Sequence, residues 1–107
     1  MAAYRVDNSA FRHYERELAG GRAAFFHENR VVLTDSWLCF PPHAMLFPLR
    51  EITHARQRIT SDGEGFYDYS VVFTFSNGMK FVGGLASQSD LYLFTAALEQ
   101  RSQARVE

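Results

Sequence analysis

The apolar positions of this chain come in short runs that turn residues interrupt every few positions. Between residues 22 and 57 the runs are Ala23-Ala24-Phe25-Phe26, Val31-Val32-Leu33, Trp37-Leu38-Cys39-Phe40 and Ala44-Met45-Leu46-Phe47. Glu28-Asn29-Arg30, Asp35-Ser36 and Pro41-Pro42 separate them, and Pro48 closes the last. Runs this short, rich in β-branched and aromatic residues and bounded by turn formers, predict strands following one another in an antiparallel meander. From Leu49 to Ile59 the pattern changes to alternation. Arg50, Ile52, His54, Arg56 and Arg58 fall on one side, with Glu51, Thr53, Ala55 and Gln57 on the other.

An acidic, glycine-containing loop, Thr60 to Gly65, leads into the cleanest alternation in the chain. Tyr67, Tyr69, Val71, Phe73 and Phe75 share one face of a strand, with Asp68, Ser70, Val72 and Thr74 opposite. Asn77-Gly78 predicts a two-residue type I′ hairpin, which pairs Phe75 with Lys80, Thr74 with Phe81 and Phe73 with Val82. The return strand ends at Gly83-Gly84, a pair expected to relieve crowding between that strand and the element after it.

Helical periodicity is confined to the two ends. Asn8 or Ser9 caps a helix whose stripe is Phe11, Tyr14 and Leu18, with Arg12, Glu15, Arg16 and Glu17 facing elsewhere and Gly20-Gly21 as the stop. A stripe so narrow suits a helix lying on a sheet or against a second subunit. Ser87 with Asp90 three residues on starts the last helix in the manner of a capping box. Leu91, Leu93, Phe94, Ala97 and Leu98 cover one broad arc of it. Arg101 and Arg105 fall in its final turns, where the helix dipole favours cations.

Composition adds bounds to this pattern. With 107 residues, 47% of them hydrophobic and 15% aromatic, the chain can bury a core without disulfides. It is read as a helical extension over 1–21 and a domain over 22–104. A formal net charge of -1 argues against coating nucleic acid. Ten of the eleven basic residues are Arg, the codon usage of a GC-rich genome more than a functional signature. The single cysteine forms no internal bridge, and no apolar run approaches the roughly 20 residues of a membrane span. The opening MAAYRVDNSA lacks the apolar stretch of a signal peptide. The expected location is the cytoplasm.

Three stretches carry a resemblance to a known family: FFHENRVVLTDSWLCF, FPLREITHAR, and the hairpin VVFTFSNGMKFVGG leading into SQSDLYLFTAALEQR. Their order is similar to that of bacterial pleckstrin-homology-like (PH-like) and GRAM-like domains, many of them of unknown function, over roughly residues 22 to 102. The resemblance implies an α+β, mainly β fold: an antiparallel sheet of six or seven strands curled into a barrel. A C-terminal helix caps it, and the N-terminal helix lies outside that plan. It also implies binding of phosphoinositides, peptides or other such domains. The lipid-binding members carry a basic motif in their first hairpin. Here Phe25 to Leu33 offers only His27 and Arg30 beside Glu28, so phosphoinositide binding in that pocket is not expected.

Candidate chemistry is sparse. Arg50, His54, Arg56 and Arg58 form a cationic ladder that could grip a phosphate or a carboxylate-rich partner. Its bland counterpart is a solvated face balanced by Asp62, Glu64 and Asp68. Ile52 interrupts the row unless the strand bends and changes faces midway. Trp37 and Tyr67 are candidate aromatic anchors, while the rest of the Tyr67–Phe75 row reads as core. His13, His27, His43 and His54 lack metal-site spacing, so neither metal nor cofactor is expected. Cys39 and His43 could pair as a nucleophile and base, but Cys39 sits in an apolar strand where a buried thiol is the ordinary case. These readings converge on a non-catalytic binding module acting through protein contacts, a homodimer being one form. The alternative is a small inhibitor or immunity-type protein that blocks an enzyme with its acidic loop. An anionic membrane surface ranks below both, and neither nucleic acid nor catalysis is expected.

Overall fold

The computed structural model describes residues 8–107. The first seven residues, on which the leader reading and the start of the extension fall, lie outside the described residues. The elements run α1 (Asn8–Ala19), β1 (Ala24–Phe26), β2 (Val31–Leu33), β3 (Trp37–Phe40), β4 (Met45–Pro48), β5 (Ile52–Ser61), β6 (Tyr67–Phe75), β7 (Lys80–Leu85), α2 (Gln88–Arg101) and β8 (Arg105–Val106).

The expected single curled sheet of six or seven strands is not what forms. The described residues hold eight strands in two separate open sheets of four, ordered β1-β2-β3-β4 and β7-β6-β5-β8. The division falls where the backbone can no longer continue a ladder. Pro48 has no N–H to donate. Leu49–Glu51 then form a 3₁₀ turn, with Leu49 N–H bonded back to Ser36 O at 2.8 Å. The chain leaves the first sheet there and opens the second at Ile52, so no strand is shared between them.

The two apolar patterns correspond to different degrees of coverage. In the first sheet Val31, Val32 and Leu33 are all buried, as are Trp37, Leu38, Cys39 and Phe40, because both faces are covered. Phe26, Val31, Leu33, Leu38, Phe40 and Phe47 point into the main core, and Val32, Trp37, Cys39 and Leu46 into a second cluster beneath α1 with Tyr14. In the second sheet only one face is covered. Ala55, Val71, Phe73 and Phe75 are buried while Arg56, Val72 and Thr74 are not, which is the alternation read from the sequence, and Ser70 is the one buried residue of the opposite row. Aromatic contacts join the two sheets, Phe40 to Phe73 at 6.0 Å and Phe47 stacked on Phe75 at 4.7 Å. Helix α2 seals the same core with Leu91, Phe94 and Leu98, Phe94 meeting Phe26 and Phe73 edge-on.

The hairpin after β6 departs from its expected register by one residue. Phe73 pairs with Phe81 and Thr74 with Lys80, and Phe75 N–H bonds to Met79 O, leaving a three-residue loop of Ser76, Asn77 and Gly78. Only Gly78 adopts positive φ, at 87°, so this is not a type I′ turn. The hydrophobic pattern decides the register. This pairing turns Phe81, Gly83 and Leu85 toward the core, whereas the two-residue version would send Lys80 inward. The start of α2 is as expected, Ser87 Oγ accepting from Asp90 N–H at 3.1 Å. Its end is not. The helix stops at Arg101, Ser102 turns extended, and Arg105 leaves the helix to join β8, which pairs parallel to β5.

Candidate functional site

A β-bulge places the cations on the bare face of the second sheet. The β5–β6 register passes from Ile52 opposite Phe75 to His54 opposite Thr74, so Thr53 is an extra residue. The strand therefore changes faces at that point. Ile52 is buried, and His54, Arg56 and Arg58 project outward. Across the strands the outward rows are His54–Thr74–Lys80, Arg56–Val72–Val82 and Arg58–Ser70–Gly84, followed by Thr60–Asp68. Arg56, Arg58, Thr60, Asp68, Lys80, Val82 and Gly84 are all exposed.

Partners divide these cations unequally. His54 Nε2 lies 3.2 Å from Glu107 Oε1, which Arg105 Nε also meets at 3.3 Å. Arg58 Nε donates to Ser70 Oγ at 3.3 Å and lies over that serine, which is buried. Arg56 and Lys80 enter no ion pair among the described residues. The strands β5 and β6 extend beyond both neighbours, since β7 ends opposite Tyr69 and β8 opposite Ala55. The projecting hairpin closes at Asp62, whose Oδ1 accepts from Glu64 N–H at 2.7 Å and Phe66 N–H at 3.2 Å. Phe66 and Tyr67 stand 73% and 56% exposed on it. The outer face thus runs from cationic at one end to acidic at the tip.

The remaining site candidates lie elsewhere. Arg50 is in the 3₁₀ turn, outside the ladder, and lines two other clefts. The larger, of about 820 Å³, also has Asp35, Ser36, Gln100 and Arg101 on its walls. There Arg101 is already engaged, donating to Leu33 O at 3.0 Å and Arg22 O at 2.7 Å. Trp37 is 7% exposed beneath α1, with Nε1–H donating to His13 Nδ1 at 3.2 Å. Tyr67 stays at the surface, its ring 6.5 Å from that of Tyr69.

One residue set aside by the helical wheel proves central to the docking of α1. Glu17 Oε1 accepts from Thr34 Oγ1 at 2.6 Å and Ser36 N–H at 2.8 Å, and its Oε2 accepts from Ser36 Oγ at 2.6 Å. His13 Nε2 stands 3.3 Å away. Since His13 Nδ1 accepts from Trp37, its proton sits on Nε2 and points at Glu17. Burial alone raises the Glu17 pKa, but the hydroxyls of Ser36 and Thr34, the Ser36 N–H and His13 outweigh it and hold the carboxyl below its ordinary range.

Cys39 and His43 are not brought together as a pair. Cys39 packs under α1, where burial lifts its thiol above the ordinary range against the smaller effect of the Tyr14 hydroxyl. The same burial, with the hydrogen bond to Cys39, raises Tyr14. His43 instead meets Phe81, ring to ring at 6.4 Å. Among the described residues no group of three or more His, Cys, Asp or Glu is placed to hold a metal ion. No described helix is long and apolar enough to cross a membrane.

No family model matches the chain, and no curated protein or solved structure matches it. The resemblance to PH-like and GRAM-like domains is therefore not upheld, and the division into two open sheets removes the curled barrel on which it rested. Its three stretches record strand, turn and helix order, a pattern that different arrangements of sheets can share.

Proposed function

We propose that the chain is a non-catalytic binding module that holds another protein on the outer face of β5, β6 and β7. One observation carries this reading: no described element covers that face, and Arg56, Arg58 and Lys80 stand on it beside Val72 and the 46% exposed Val82. Guanidinium forks grip carboxylates through paired, charge-assisted hydrogen bonds, and the valines supply an apolar floor between them. The fitting partner is an acidic protein surface with an apolar centre.

The test is replacement of Arg56 and Arg58 together by Ala, with binding to a partner purified from the native host as the readout. Affinity should fall at least about tenfold, as for a loss of roughly 1.4 kcal/mol. Stability should change by less than about 0.5 kcal/mol for each surface substitution. Unaltered affinity would end the assignment. The projecting acidic hairpin favours a second reading, an inhibitor that inserts Asp62 to Asp68 into a cationic enzyme cleft. In that case Glu64→Ala with Asp68→Ala, and not the arginine pair, abolishes binding.

A further inference from the structure

We infer that the partner of this outer face is a second copy of this chain, an identification that rests on the reading just proposed. The charge order along the face is self-complementary. Starting from the beginning of β5, the rows carry His54 and Lys80, then Arg56 with Val72 and Val82, then Arg58 over Ser70, then Thr60 with Asp68, and last the tip, where Asp62 N–H bonds to Phe66 O and Glu64 lies in the turn between them. A two-fold axis lying across the strands, between the Arg58–Ser70 and Thr60–Asp68 rows, turns one copy end for end over the other. Strands β5 and β6 then lie over their own equivalents, and cationic rows meet acidic ones, as an isologous contact requires.

The match holds row by row. Asp68 of one copy faces the row of Arg58 of the other, on the neighbouring strand. Asp62 comes over Arg56, and Glu64 over the row of His54 and Lys80. Phe66, 73% exposed just before β6, comes over Val72 beside Val82, so the apolar part of the tip meets the apolar part of the ladder. Twelve acidic and eleven basic residues leave the whole chain nearly neutral, so net repulsion between copies is small. Two strands about 4.8 Å apart, overlapping along six rows about 6.8 Å apart, span on the order of 400 Å² per copy. That is half the roughly 800 Å² per partner of a standard interface, so the pairing is weak, reversible and sensitive to salt.

Sedimentation equilibrium with two charge-reversed variants tests the inference. Arg58→Glu with Lys80→Glu reverses the cationic partners of Asp68 and Glu64, and Glu64→Lys with Asp68→Lys reverses the acidic ones, so only a mixture of the two restores every pair. All four positions are exposed, and unchanged thermal melts confirm that the variants fold. The unaltered chain should form dimers whose dissociation constant rises at least about tenfold between roughly 50 mM and 500 mM salt. Each variant alone should be monomeric, and an equimolar mixture of the two should form a heterodimer. A chain that stays monomeric up to about 1 mM at low salt overturns the inference, that range covering the affinity of a small interface. So does a reversed variant that dimerises as the unaltered chain does, or a mixture that stays monomeric. If the chain is monomeric while Arg56→Ala with Arg58→Ala still loses a host partner, the second copy is excluded and the binding reading stands. If that arginine pair also proves silent, both fall.

Discussion

At the scale of single residues, the most consequential side chain is one whose partners are distant in sequence. Glu17 gathers three donors from Thr34 and Ser36, 17 and 19 positions away, and pins α1 to the β2–β3 turn. A helical wheel records only whether a position is polar, so it placed Glu17 with the solvent-facing residues. Its depressed pKa gives a signed prediction. The stabilisation is fully present above the ordinary carboxyl pKa of 4.5 and is lost as pH falls through the lower folded value. Glu17→Gln should cost about 1–2 kcal/mol at neutral pH, the worth of hydrogen bonds to a charged group less what the amide retains. Urea unfolding of both proteins from about pH 7 down to about pH 3 checks this, with the difference shrinking in acid. A difference that stays constant with pH would refute the assignment. Cys39, by contrast, could be read locally: a thiol inside an apolar run is a packing residue, and its raised pKa agrees.

At the scale of elements, β6 was legible because strict alternation leaves little choice of face. The strand β7 was not, since its register depends on a turn with two workable lengths and only core packing selects between them. Gly83 shows the consequence. In the observed register it lies on the core side, where an added Cβ would come within 2.6 and 2.7 Å of the Phe40 ring. It makes room for the first sheet, not for the helix that follows β7. Phe40 contacts the rings of Phe47, Phe73 and Phe81 and has little space to retreat. Gly83→Ala should therefore destabilise by about 1–3 kcal/mol through overpacking. The neighbouring Gly84, with nothing within 4 Å of its added Cβ, should accept Ala within about 0.5 kcal/mol. Equal urea midpoints for the two variants would show that this register is wrong.

At the scale of the whole molecule, the first sheet is a wall between two apolar clusters, and the second sheet has a core on one side only. The smaller cluster holds α1 through Tyr14, Val32, Trp37, Cys39 and Leu46. This asymmetry predicts separable stability. Tyr14→Ala should remove about 3 kcal/mol from the attachment of α1, as for a large aromatic truncated in a core. Amide exchange in α1 should then quicken by roughly 100-fold. Trp37 emission should shift to the red, while the amides at Ala55 to Gln57 and Val71 to Phe73 stay protected. Uniform loss of protection across both sheets would show that the clusters unfold as one unit.

By itself the sequence determined roughly where α1 and the strands β1 to β7 lie, which residues start α2, and which face of β6 is buried. Those properties follow from neighbours a few positions apart, through periodicity, caps and turn chemistry. Only the tertiary structure decided that the strands divide into two sheets, that β5 changes faces at Thr53, and that Arg56 and Lys80 share a surface with Val82. Each of those outcomes depends on which distant segments compete for the same core, and a one-residue difference in a bulge or turn reverses the answer.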